Sequence, residues 1–182
     1  MAEGAGARTA PAADIAEVLR LSKEWWEANE DMDVERMVKV FPVSGGEFLM
    51  FNFNGHPYYG IDELAALWRW YRERIDLPIG IEIEVMRLEV RGDTAWLACE
   101  GRIEPNPEQG EWTADSVGAL GVRATEIYHR DDGAGNSEWR MWHFHSSATA
   151  EPDEERMSAA DTYAGRGLGW VPWQRLPEGT PR

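Results

Sequence analysis

Two histidines one residue apart, His143 and His145, stand in the stretch WRMWHFHSS. On a strand that spacing puts both rings on one face. Such a pair can hold a metal, exchange protons or pack. A zinc or iron site needs a third and usually a fourth protein ligand. His129 is the one further candidate ligand, with no cluster beyond it, so the expected metal complement is none. Glu100 and Arg102 form a second group, sharing a strand parity with Trp96. Burial among aromatics disfavours the charged form of a carboxylate, which moves its pKa toward the working pH and suits it to general-base work. A guanidinium stays protonated and stabilises an alkoxide, enolate or phenolate as charge develops. Tyr58 and Tyr59 are candidate proton donors. His56 and Asp33 are further polar candidates, Asp33 also as a helix cap. The single cysteine, Cys99, has no internal partner for a disulfide.

These residues need elements to hold them. From about Ala12 to Asn29, Ile15, Val18, Leu19, Ser22, Trp25 and Trp26 recur at helical spacing. A short helix follows from Asp33 through Met37 and Val38 to Phe41, where Pro42 stops it. GEFLMFNFNGHPYYG reads as a hairpin turning at Asn54-Gly55. In IDELAALWRWYRERI, residues Leu64, Leu67, Trp68, Tyr71 and Ile75 make one helical stripe, with Asp62 as its expected cap and Trp70 off the stripe. After Pro78 the period drops to two. The apolar parity switches from Ile79, Ile81, Ile83 and Val85 to Met86, Leu88 and Val90, which predicts a β-bulge near Val85. Arg91-Gly92-Asp93 turns the chain into a strand over Thr94 to Ile103. A loop, EPNPEQGEWTADS, precedes the last two strands. Helices covering one face of a bent antiparallel sheet predict an α+β cone with a hollow inside.

The 182 residues accommodate one domain at 12–148, with a disordered segment at 1–11 and a C-terminal extension at 149–182. A formal charge of -15 repels nucleic acid and anionic lipid surfaces alike. With no long apolar run and no secretory h-region near Met1, a cytoplasmic protein is expected. Ten tryptophans exceed the needs of an ordinary core; core and interface packing is one reading, several lining a cavity for a flat apolar ligand is the other, and both can hold at once.

TEIYHRDDG followed by WRMWHFHSS resembles the end of the calcium/calmodulin-dependent protein kinase II association domain. NEDMDVERMVKVF, YYGIDELAALW and GDTAWLACEGRI add weaker matches. The order of elements resembles the nuclear transport factor 2-like superfamily, in particular its SnoaL-like branch. That resemblance implies a cystatin-like α+β barrel. It also implies a place among ketosteroid isomerases, polyketide cyclases, scytalone dehydratase, limonene epoxide hydrolase, aromatic lyases and non-catalytic assembly domains. The association domain directs Trp142, Phe144 and Ser146 into the cone, and His143 and His145 to the convex face. Its three inward basic residues match Arg102, Glu126 and Ser146 here.

The expectation is therefore a cofactor-independent lyase, dehydratase or isomerase for a small apolar, aromatic molecule. Arg102, Glu126, Glu100 and Tyr59 would do the chemistry in a hollow lined by Trp96, Tyr128, Trp142, Phe144 and Tyr58. Arg102 and Glu126 could instead form a purely structural buried pair. A non-catalytic binding or assembly module, or an auxiliary subunit of an aromatic-ring dioxygenase, are the alternatives. Because both faces of the last strand carry large apolar groups, a homodimer covering the convex face with a second sheet is expected.

Overall fold

The structure is a computed structural model that describes residues 11–75, 77–104 and 120–149. The expected segments 1–11 (apart from Pro11) and 149–182 (apart from Thr149), and most of the loop after Glu104, lie outside the described residues. Helix α1 spans Ala12–Glu30, α2 spans Val34–Met37 with a 3-10 turn Val38–Val40 after it, and α3 spans Gly60–Arg72. The strands are β1 (Leu49–Phe51), β2 (Pro57–Tyr59), β3 (Gly80–Arg91), β4 (Thr94–Glu104), β5 (Leu120–Arg130) and β6 (Trp139–Ala148).

The six strands form one sheet in the order β2-β1-β6-β5-β4-β3. Neighbours pair antiparallel except β1 and β6, which run parallel. The sheet is therefore mixed, not wholly antiparallel. The direction of a three-residue strand is set by the segments that deliver it, which residue periodicity does not encode. The hairpin turns where Asn54-Gly55 predicts, with Gly55 at φ +83. The predicted bulge is present, the β3–β4 register slipping between Val85 and Arg87. At Gly101 on β4 an added Cβ would run into the Glu82 carbonyl of β3, so only glycine permits this approach of the two strands.

Helix α1 lays Val18, Leu21, Ser22, Trp25, Trp26, Ala28 and Asn29 against the sheet. The interior is aromatic: the Trp25 ring lies 5.2 Å from Phe41, 5.4 Å from Trp68 and 5.2 Å from Phe144. Each well-oriented ring pair adds about 0.5–1.5 kcal/mol beyond area burial. Asn29 joins α1 to α3, accepting the Trp68 indole N–H at 2.6 Å and donating to the Trp25 carbonyl at 2.6 Å. The start of α1 is tied to the sheet by Asp14, which accepts from Arg130 Nη2 at 2.5 Å and Trp139 Nε1 at 3.2 Å. The Arg130 hydrogen bond holds the Asp14 carboxyl below its usual range. Asp33 caps α2 by accepting the Arg36 N–H at 3.1 Å. Asp62, expected to cap α3, lies in its first turn, and the N-cap position is Tyr59.

Phe144 sits among Trp25, Trp26 and Met50 in this core. Phe144→Ala is expected to cost about 3–5 kcal/mol in denaturant unfolding. A loss under about 1 kcal/mol would mean that Phe144 does not face the interior.

Candidate functional site

Cross-strand partners share a face, so the register decides which side chains meet. Glu126 on β5 pairs with Phe144 on β6 and Leu97 on β4. Phe144 pairs with Met50, and Met50 with Tyr58. One concave row thus reads Tyr58, Met50, Phe144, Glu126, Leu97. The next row along includes Ser146, Ala124 and Cys99, all buried.

Glu126 is the chemical centre of this face. Its side chain is 0% exposed. Trp26 Nε1 donates to Oε1 at 2.8 Å, and the Tyr128 hydroxyl donates to Oε2 at 2.5 Å. Ser22, one helical turn before Trp26, also hydrogen-bonds this pair. The Cys99 thiol lies 4.0 Å from Oε1. Burial pushes the Glu126 carboxyl above its ordinary value, and the hydrogen bonds from Tyr128, Ser22 and Trp26 pull it part of the way back. Among the described residues no lysine or arginine contributes to holding its charge. Burial, reinforced by the Glu126 charge, lifts Tyr128 well above its usual range. It pushes Cys99 to about 12, so this thiol is not a nucleophile at neutral pH.

Arg102 is not part of this site. The inward residues of β4 are Ala95, Leu97 and Cys99, which leaves Trp96, Glu100 and Arg102 on the opposite face. Arg102 is exposed and pairs with Glu104 at 2.7 Å. Both the catalytic and the structural Arg102–Glu126 pair are thereby overturned, since each needs the two side chains on one face. Trp142 is a second correction. Tyr128 pairs with Met141 and Ile127 with His143, so Trp142 is an extra residue in β6. It turns to the convex side, 6.0 Å from the His129 ring, and donates to the Asp131 carbonyl at 2.9 Å. The same bulge sends Met141 and Trp139 inward, whereas unbroken alternation would set them on the face of the histidines. His143 and His145 do lie on the convex side, their rings 5.5 and 5.6 Å from Phe51. Burial lowers the His143 pKa. Among the described residues no three of His, Cys, Asp and Glu converge.

Tyr58 and His56 line an open groove of about 760 Å³ between the hairpin and α3, with Asn54, Leu67, Trp70 and Tyr71. Asn54 donates to the Tyr58 hydroxyl at 2.7 Å. From Tyr58 to Glu126 is three strand spacings, about 14 Å, and Met50 and Phe144 stand between. Tyr59 faces elsewhere, lining a separate hollow of about 550 Å³ with Lys39, Ser44, Asp62 and Arg140. Asp33 is a helix cap, engaged with the Arg36 N–H.

Sequence reasoning missed Ser22 and Trp26 as partners of Glu126. The signal was a serine inside the apolar stripe of α1, four residues before Trp26. It also missed Asn52, whose buried Nδ2 has no hydrogen-bond partner, and the unpartnered Nε1 of Trp25. Each such donor costs about 1–3 kcal/mol if left unmet.

Residues 18–151 match the family model of the SnoaL-like domain. Among curated proteins nothing matches. Solved structures match in number. A candidate dehydratase of the NTF2-like family from Streptomyces avermitilis superposes with TM-score 0.62 at 21% identity, covering 78% of this chain and all of its own. A ketosteroid isomerase-like protein from Erwinia carotovora atroseptica gives 0.60 at 11% identity, covering 78% and 100%. A candidate calcium/calmodulin-dependent protein kinase type II association domain from Thiobacillus denitrificans gives 0.56 at 15% identity, covering 71% and 93%. At these identities the likeness is one of fold.

A carboxyl whose folded pKa is raised binds its proton more tightly folded than unfolded. Its stabilising effect is complete below the ordinary value of 4.5 and declines as pH rises toward the folded pKa. The stability of Glu126→Gln relative to wild type is therefore expected to grow above pH 4.5, by up to about 1.4 kcal/mol per pH unit. Denaturant melts at several pH values measure it. A gap independent of pH would mean that Glu126 ionises in the fold as it does in water.

Proposed function

We propose a cofactor-independent acid–base activity, as a lyase, dehydratase or isomerase, for this chain, which belongs to the SnoaL-like domain family. The substrate class is a small, neutral, apolar and aromatic molecule held in the concave interior. One observation carries the reading: a fully buried carboxyl, Glu126, is held by Trp26, Tyr128 and Ser22 with no cation to neutralise it among the described residues. Packing alone gives no reason to bury an acid there, whereas a carboxyl whose pKa is raised by burial suits a group that takes and returns protons.

A carboxylate has about four acceptor positions. Trp26, Tyr128 and Ser22 occupy three, and one lone pair, with only the Cys99 thiol 4.0 Å away, is left for a substrate proton. In an elimination, that lone pair takes the proton from carbon and the C–H electron pair forms the new double bond. The leaving group departs with its own bonding pair and receives the proton back. An isomerisation returns the proton to a different carbon. Tyr128 and Trp26 act as positioning residues, aligning the carboxyl and stabilising its charge in a site of low dielectric.

A binding module without chemistry is the second reading. The complete closure of Glu126 to solvent favours it, because all the donors around the carboxyl come from the fold itself. A panel of small aromatic alcohols, enones and ketones separates the two. Wild type is expected to catalyse water loss, double-bond migration or solvent-deuterium exchange at carbon, and Glu126→Gln to be folded and slower by roughly a hundredfold. Equal rates in the two proteins would remove Glu126 from the chemistry. Binding without turnover in both would establish the second reading.

The homodimer belongs to the same proposal. The convex face carries Phe51, Trp96, Trp142, His143 and His145, with Phe51 exposed at 42%. Helices cover only the concave side, so a second copy of the sheet is the economical cover. Sedimentation at micromolar concentration is expected to give about twice the 20.6 kDa chain mass. A monomer would leave this face an ordinary surface.

A further inference from the structure

Two buried donors among the described residues have no acceptor, Asn52 Nδ2 and Trp25 Nε1. Asn52 follows β1, two residues beyond Met50 and on the same side of the sheet, and is 5% exposed. Its Oδ1 accepts the Phe53 N–H at 2.8 Å, which fixes the orientation of the amide and turns Nδ2 away from that contact. Nδ2 then finds no acceptor. Ser146, 4% exposed, lies beside it: its Oγ accepts the same Phe53 N–H at 3.2 Å, and its hydroxyl proton is a second donor there. Ser146 belongs to the concave row next to that of Phe144 and Glu126, and Asn52 shares the Phe53 N–H with it. Trp25, its ring 5.2 Å from that of Phe144, carries a further buried donor with no partner, Nε1.

We infer that Asn52 and Ser146 form a donor pair for the oxygen of a neutral carbonyl compound bound in the concave interior. This rests on the reading of that interior as the ligand site, and specifies what the ligand must carry. The unmet Asn52 N–H calls for an acceptor, to which the Ser146 hydroxyl can donate as well. A nearby buried carboxyl disfavours an anionic ligand such as a carboxylate or phosphate. The rings of Trp25, Trp26 and Phe144 favour a flat apolar body. A carbonyl supplies an acceptor without a competing donor, so it matches both Asn52 Nδ2 and Ser146 Oγ–H. An alcohol would bring a donor of its own.

Acetophenone and α-methylstyrene test this, being near-identical in shape and differing by C=O against C=CH₂. In nitrogen-15 spectra of the full chain, acetophenone is expected to shift the Asn52 side-chain amide, and α-methylstyrene to leave it in place. Acetophenone is expected to bind about tenfold more tightly. Asn52→Leu keeps the size, and leaves Phe53 N–H its Ser146 acceptor. It is expected to abolish that preference while the affinity for α-methylstyrene stays the same, which also reports that the variant is folded. The assignment is overturned if the two compounds bind alike, if neither binds at millimolar concentration, or if the Asn52 amide contacts only water that acetophenone does not displace. No turnover enters this measurement. Glu126→Gln is expected to retain the preference for the ketone, so loss of the preference tells against Asn52 and retained catalysis in Glu126→Gln tells against the acid–base reading.

Discussion

The burial of the Glu126 carboxyl is the constraint on which the rest of the interior depends. An acid taken out of water without a countercharge must either keep its proton or gather hydrogen bonds. Here the donors come from two elements, Trp26 and Ser22 on α1 and Tyr128 on β5. That demand sets the rotation of α1 about its axis, since Ser22 and Trp26 must both face β5. With that face fixed, Trp25 turns toward Phe41, Trp68 and Phe144, and Asn29 comes within reach of Trp68. At the other end of the helix, Asp14 meets Arg130 and Trp139. One polar requirement in the interior is thus coupled to the aromatic packing and to the docking of the helix.

The sheet has two chemically different faces, and two bulges decide which residue belongs to which. In β3 the extra residue is Met86 and in β6 it is Trp142. Each lets the large apolar side chains on both sides of it point inward despite a break in alternation. Ile83 and Leu88 serve the concave side of β3, as Met141 and Phe144 serve that of β6. Without the β6 bulge, a strand placing Phe144 inward would turn Met141 and Trp139 outward. The bulge also explains why Trp142 packs with His129, and why the histidines end beside Phe51 on the convex face.

Charge is distributed accordingly. The chain carries 33 acids against 18 bases. Among the described residues Arg102 with Glu104 is one of several exposed pairs that water screens. Among the described residues of the concave rows the buried carboxyl is Glu126, with neutral donors around it. A neutral ligand can enter such a space without bringing a charge that needs a partner. The acidic exterior would repel anions before they reached it.

The sequence by itself determined the local elements and much of the fold class. Helical spacing in α1 and α3, the Asn54-Gly55 turn, the Asp33 cap and the parity switch in β3 are short-range signals, written in neighbours that touch. Glu126, Tyr128, Phe144 and Ser146 were legible as one inward set because they lie on strands whose alternation and family resemblance agree. Arg102, Glu100, Trp96 and Trp142 were not, and the reason is register. A strand's two faces are equivalent until a partner strand pins one of them, and a shift of one residue exchanges them all. The pairing of Leu97 with Glu126 and the extra residue at Trp142 are contacts between segments far apart in the chain. Only the tertiary structure decides such contacts, because they depend on how separate elements pack rather than on the order of residues within any one of them.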